Sequence, residues 1–181
     1  MSRAYATRYR QQGASILQSV TVVALIGVLV TVFIEHVLEW GLTVEKVAIA
    51  TMTSDIRHVL SKEIAVRAAL GKMKTLHELD GANPMRLQAG FRPTPPSYGG
   101  EIETIDLAEL SPGFWYYEKT QKIFLYQVRH VTRFHNDNNT PLIRYQIQLK
   151  YQDKNKNKQF DSESESIKQL SLMDLDQYTW K

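Results

Sequence analysis

The sequence predicts an α+β fold: a long N-terminal helix, half membrane-spanning and half amphipathic, packed on a small antiparallel β-sheet. Three observations carry this reading. An uncharged apolar run extends from Ala14 to Ile34, helical apolar periodicity resumes from Thr43 to Leu70, and alternating, aromatic-rich segments follow Phe114. Helix first and strands after is the order of a layered domain in which the helix covers one sheet face. A chain of 181 residues with 43% hydrophobic content has room for one such domain plus an anchor.

The first thirteen residues are polar and carry Arg3, Arg8 and Arg10 with no acid. Without these three arginines the chain has 19 basic and 19 acidic residues, so the net charge of +3 resides in the arm. That distribution gives no case for nucleic-acid binding. It places the arm on the cytoplasmic side of a membrane, by the positive-inside tendency.

From Ala14 to Ile34 the polar residues are Ser15, Gln18, Ser19, Thr21 and Thr31. As a helix these 21 residues reach about 30 Å, enough to cross a bilayer core. Glu35 and Glu39 follow on the far side. The run is long for a cleavable signal peptide, and Ala48-Ile49-Ala50 lies too far downstream to serve as its cleavage site.

Between Thr43 and Leu70, Val44, Val47, Ala48, Ile56, Val59, Leu60 and Ile64 recur at three- and four-residue steps and predict one buried stripe. Glu45, Lys46, Asp55, Arg57, Lys62 and Arg67 are expected on other faces. Gly71 is the expected stop. Gly41 marks the weak point between two readings: one helix of about 85 Å, or two helices joined there.

Residues 71–112 read as a loop-rich connection, broken by Pro84, Pro93, Pro95, Pro96, Gly99 and Gly100. Ile102 and Ile105 suggest a short strand or turn. Beyond Phe114, FWYYEKTQKIFLYQVRHV predicts two strands about a turn near Glu118–Gln121. Residues 143–151 alternate strictly, with Ile143, Tyr145, Ile147, Leu149 and Tyr151 on one face, as a half-buried antiparallel strand does. Asp137-Asn138-Asn139 and Asp153–Lys158 read as polar turns, and Ser166–Leu172 as a further strand before a tail ending near Trp180.

There is no cysteine, so disulfides and thiolate chemistry are excluded. No glycine-rich phosphate loop, serine elbow or paired-histidine helix motif occurs, and no catalytic residue or enzymatic activity is expected. Asp153, Asn155, Asn157 and Asp161 have the oxygen-ligand spacing of a calcium loop. Lys158 stands where such a loop needs glycine and Ser164 where it needs a bidentate acid, which favours a plain polar turn over a calcium site, with no other cofactor expected. His130 and His135 fall on opposite faces of a regular strand, a poor metal pair. Trp115, Tyr116, Tyr117 and Phe124 are expected to pack in the core rather than bind a ligand.

The segment RQQGASILQSVTVVALIGVLVTVFIEHV resembles the N-terminal signature of type IV pilins and type II secretion pseudopilins. PGFWYYEKTQKIFLYQV is similar, more loosely, to a hairpin of minor members of that family. The resemblance implies cytoplasmic cleavage by a prepilin peptidase between Gly13 and Ala14, followed by methylation of the new amine. It divides the chain into a cytoplasmic leader (1–13), a transmembrane and filament-core helix (14–40) and a periplasmic or extracellular globular domain (41–181). It implies a single-pass inner-membrane protein whose partners are other pilin-like subunits, the peptidase and an inner-membrane assembly platform. Two residues depart from the family pattern. Ala14 stands in place of the usual phenylalanine, and Gln18 in place of the usual glutamate, which is thought to neutralise a neighbouring subunit's terminal amine. Members lacking that glutamate include the tip pseudopilin of type II secretion, so the expectation is a minor pilin or pseudopilin at a tip or in an initiating complex. The alternative is a membrane-anchored envelope binding protein that never enters a filament.

Overall fold

The computed structural model describes residues 12–90, 92–157, 159–161 and 163–181. The chain divides into two units, Met1–Val44 and Glu45–Lys181. The leader expected over residues 1–13 lies outside the described residues up to position 11.

One helix, α1, runs Gln12–Ala69, so Gly41 lies within a helix and not in a joint between two. The helix stops at Gly71, as its sequence suggests. Gly71 has φ +68, which only glycine adopts without a Cβ penalty. Gly71 N–H donates to the Ala68 carbonyl at 3.1 Å and Lys72 N–H to the Arg67 carbonyl at 2.7 Å. This pair of bonds is a Schellman cap, which satisfies carbonyls the last turn would otherwise leave free.

Within Glu45–Lys181 the buried face of α1 comprises Glu45, Ile49, Thr53, Ile56, Val59 and Leu60, with Met52 and Ile64 half-buried beside it. This corrects the expected stripe at its N-terminal end. Ala48 is exposed and Val47 is 59% exposed, whereas Glu45 is buried at 5%. An acid is tolerated at this buried position because several hydrogen-bond donors surround it.

The connection after α1 holds more structure than its prolines and glycines suggest. A 3-10 turn covers Met73–Leu79 and a short helix, α2, covers Pro84–Ala89. Pro84 occupies the first turn of α2, where no N–H is needed, and Asn83 caps it by accepting the Met85 N–H at 2.9 Å. Strand β1 (Tyr98–Ile102) then enters the sheet parallel to β2 (Trp115–Glu118).

The five-stranded sheet has the order β1-β2-β3-β5-β6, with β3 at Ile123–Gln127, β5 at Leu142–Tyr151 and β6 at Ile167–Asp174. All pairings except β1 with β2 are antiparallel. A second sheet pairs β4 (Phe134–Asn136) with β7 (Tyr178–Trp180), so the expected tail is a strand. Alternation sorts the aromatics as expected of core residues. Trp115, Tyr117, Phe124, Tyr126 and Tyr145 lie in the main core, with the Trp115 and Phe124 rings stacked at 4.8 Å. Tyr116 and Leu125 belong to a smaller cluster with Leu110, Ile123 and Leu142.

Candidate functional site

In the first unit, the expected membrane segment is one of helical backbone with an apolar exterior. Ile16, Leu17, Val23, Leu25 and Phe33 are each at least 60% exposed. It is long and apolar enough to cross a membrane. The hydroxyls of Thr21 and Thr31 donate to the Leu17 and Gly27 carbonyls at 2.9 and 3.0 Å. A hydroxyl returned to its own helix in this way makes no demand on its surroundings, which suits a hydrocarbon environment. Gln18 is exposed on this helix. Gly13 and Ala14 fall in the first turn of α1, and their side-chain surroundings lie outside the described residues.

One densely bonded site of the second unit is built on Glu45, which periodicity placed off the apolar stripe. Its Oε1 accepts the Tyr126 hydroxyl at 3.0 Å and the Arg129 N–H at 2.6 Å. Its Oε2 accepts the His130 N–H at 3.1 Å and contacts His130 Nδ1. The His130 side chain is 28% exposed and that of Glu45 is 4% exposed. Burial, with the Glu45 charge beside it and the hydrogen bond to that carboxylate, pushes the Tyr126 phenol well above its ordinary range. Three of these groups lie at or just after the end of β3, so one carboxylate fixes α1 to the point where the chain leaves the sheet.

His130 and His135 are not two faces of one strand. His130 precedes a 3-10 turn over Val131–Arg133, and His135 is exposed on β4. Among the described residues no group of three or more histidines and acids is placed to hold a metal.

The calcium-spaced residues lie in the loop between β5 and β6. Asn155 Oδ1 accepts the Asn157 N–H at 3.1 Å, and Asn157 Oδ1 accepts the Gln159 N–H at 2.8 Å. Asn155 Nδ2 reaches Asp161 Oδ2 at 3.5 Å, and Asp153 is half-buried. Lys158 lies outside the described residues. Buried Glu165 places one oxygen on Lys154 N–H at 2.9 Å and the other on Asp161 N–H at 3.1 Å. These are the bonds of a self-supporting Asx turn closed by an acid.

Among the described residues four acids are buried: Glu45, Glu118, Glu165 and Asp176. All accept at least one backbone N–H group. Glu118 takes Thr120 and Gln121 at 2.9 and 2.7 Å, and Asp176 takes Arg144 N–H at 3.0 Å. Asp176 also binds the Arg144 guanidinium with both oxygens and Asn138 Nδ2 at 2.7 Å. Sequence periodicity missed all four, because an acid that caps a turn has the same spacing as one that faces water.

A cleft of about 510 Å³ is lined by Leu79 and Leu87 together with Arg67, Arg86, Lys119 and Lys122. Most of that charge is internally matched: Arg67 with Glu63 and Glu78, Arg86 with Glu101, Lys119 with Glu103. No family model, curated protein or solved structure matches the chain.

Proposed function

We propose that this chain is a minor pilin-like subunit, anchored in the inner membrane by the N-terminal part of α1 with its C-terminal unit in the periplasm. On this reading it is cut by a prepilin peptidase between Gly13 and Ala14 and then enters a type IV pilus or type II secretion-like filament at its tip or in its initiating complex. The observation that carries the reading is α1 itself. A single helix begins with an all-round apolar exterior and ends as the amphipathic helix of a domain with a mostly antiparallel sheet.

An all-round apolar helix needs an apolar medium on every side, either lipid or a bundle of like helices. Area bookkeeping puts its burial at tens of kcal/mol, as an upper bound. Exchange between lipid and bundle is near neutral by comparison, so reversible assembly is feasible. A peptidase that cuts between Gly13 and Ala14, in the first turn of α1, leaves the apolar anchor attached to the domain.

Gln18 supports a low copy number. A terminal amine at Ala14 inside a bundle is a charge in an apolar medium, costing several kcal/mol if unpaired. An amide offers it a dipole, where a glutamate offers a full charge. A filament of this chain alone repeats that cost at every subunit, and a single copy beside glutamate-bearing partners does not.

Intact-mass analysis of protein purified from the envelope tests the reading. The expected mature chain begins at N-methyl-Ala14, and Gly13→Val leaves uncut precursor in the membrane. An uncut chain in cells with an active prepilin peptidase supports instead the membrane-anchored binding protein that stays outside filaments.

A further inference from the structure

The C-terminal unit begins at Glu45, and only residues 35–44 separate it from Ile34, the last residue of the uncharged apolar run. As helix, a tether of this length covers about 15 Å. The headgroup layer on one side of a bilayer takes up about 5–7 Å of that. What remains is close to the Debye length, about 8 Å at physiological salt. A charge at this end of the unit therefore feels the surface of any membrane that the apolar run crosses.

The charge there is positive. Arg129 and His130 are fixed at this end because their backbone N–H groups donate to Glu45. Lys46 is the next residue of α1, and its Nζ lies 5.7 Å from the centre of the Trp180 ring. Trp180 stands opposite Phe134 in the β4–β7 ladder, and Lys181 N–H donates to the Arg133 carbonyl at 2.8 Å, which brings Arg133 to the same end. Among the described residues Lys46, Arg129 and Arg133 make no ion pair with a carboxylate. The neighbouring acids do not offset them. Glu45 is buried and its oxygens are taken by Tyr126, Arg129 N–H and His130. Asp174 pairs with Arg57 at 3.6 Å, and Asp137 lies beyond the far end of β4. Two apolar side chains stand among the cations: Val131 is exposed and Trp180 is half-buried.

We propose that this end of the C-terminal unit docks on an anionic phospholipid surface, with Lys46, Arg129 and Arg133 at the headgroup phosphates and Val131 and Trp180 at the headgroup level. Cations of this kind are drawn to an anionic bilayer surface one by one, and their attractions add. Indole and small apolar side chains are at home in the interfacial layer beside them. The three cations come from α1, from the end of β3 and from the turn before β4. A surface that carries many phosphates meets all three, whereas one small anion does not. The short tether holds that surface at high effective concentration, which no free anion enjoys. The proposal rests on the membrane-anchored reading of α1 and needs neither cleavage nor a filament.

The test uses the full chain in nanodiscs of phosphatidylcholine alone and of phosphatidylcholine with about one-third phosphatidylglycerol, read by hydrogen exchange. The anionic discs are expected to slow exchange about threefold or more over residues 129–133 and 178–181, and to leave the β2–β3 turn at 119–122 unchanged. Salt at about 1 M, where the Debye length falls to about 3 Å, is expected to abolish the difference. The triple variant Lys46→Gln, Arg129→Gln, Arg133→Gln is expected to enter the discs as the parent does and to lose the dependence on phosphatidylglycerol. Equal exchange in the two kinds of disc overturns the proposal, as does a difference that survives high salt or the triple variant. Inorganic phosphate that slows the same amides in phosphatidylcholine discs assigns the cations to a free anion and overturns the lipid surface. Retention of the chain in the discs is measured separately. A chain that inserts and shows no difference overturns the docking and leaves the anchor standing, and a chain that fails to insert overturns both.

Discussion

The carboxylate of Glu45 accepts the phenolic hydrogen of Tyr126 at 3.0 Å, joining α1 to β3 across 81 positions of sequence. The same carboxylate holds the backbone of Arg129 and His130, so helix, strand and the turn beyond share one buried acceptor.

Glu45→Ala is expected to destabilise the C-terminal unit by about 2–4 kcal/mol, because it leaves two backbone N–H groups and a phenol without their acceptor. Tyr126→Phe removes one donor and is expected to cost about 1 kcal/mol. Urea denaturation of both single variants and the double variant measures the coupling. Strict additivity of the two losses contradicts a shared network.

A fragment covering residues 43–181 is expected to be soluble and to unfold in one cooperative transition, because the buried face of α1 and both sheets lie within it. Shortening the helix to this point leaves Glu45 in its first turn, where an acid is favourable. Coincident far-ultraviolet and tryptophan-fluorescence transitions check this. An aggregated or molten product shows that the sheet needs a partner.

Glu101 on β1 takes Asn83 Nδ2 at 2.7 Å and the Arg86 guanidinium at 2.6 and 2.8 Å. The Asn83 hydrogen bond, and after it the Arg86 bond and charge, hold the Glu101 carboxyl below its ordinary range despite partial burial. Its folded-state pKa lies below its unfolded value. Its contribution is therefore full above the ordinary carboxylate range and is lost as pH falls through the folded-state pKa. Glu101→Gln is expected to cost less than about 1 kcal/mol at neutral pH, this being a partly exposed pair. The difference from the parent vanishes in acid. A pH-independent difference between the two proteins rejects the linkage.

The β5–β6 loop is expected to stand without calcium. Adding calcium leaves the Tm of residues 43–181 essentially unchanged, whereas Glu165→Ala, by freeing the Lys154 and Asp161 amides, costs about 1–3 kcal/mol. A chelator-reversible rise of many degrees in the parent reinstates the metal reading of Asp153, Asn155, Asn157 and Asp161.

Quantitative mass spectrometry of sheared filaments is expected to find this chain at low copy beside glutamate-bearing partners. Gln18→Glu is expected to be tolerated and to raise its abundance along the shaft, because the variant can neutralise a neighbour's amine. Dominance of the parent chain in filaments contradicts the charge argument.

The sequence by itself determined the apolar span from Ala14 to Ile34, the stop at Gly71, the hairpin of β2 and β3, and a strand over residues 143–151. In each of these the pattern and the physics are local: hydropathy over one helix, a left-handed glycine, alternation along one strand. Tertiary structure alone decided the rotation of the α1 face onto Glu45, the parallel entry of β1, and the pairing of β4 with β7. It also decided which acids are buried. The reason is that a carboxylate is stable inside only where several N–H donors converge. At Glu45 and Asp176 those donors come from segments distant in sequence, so a one-dimensional pattern carries no record of them.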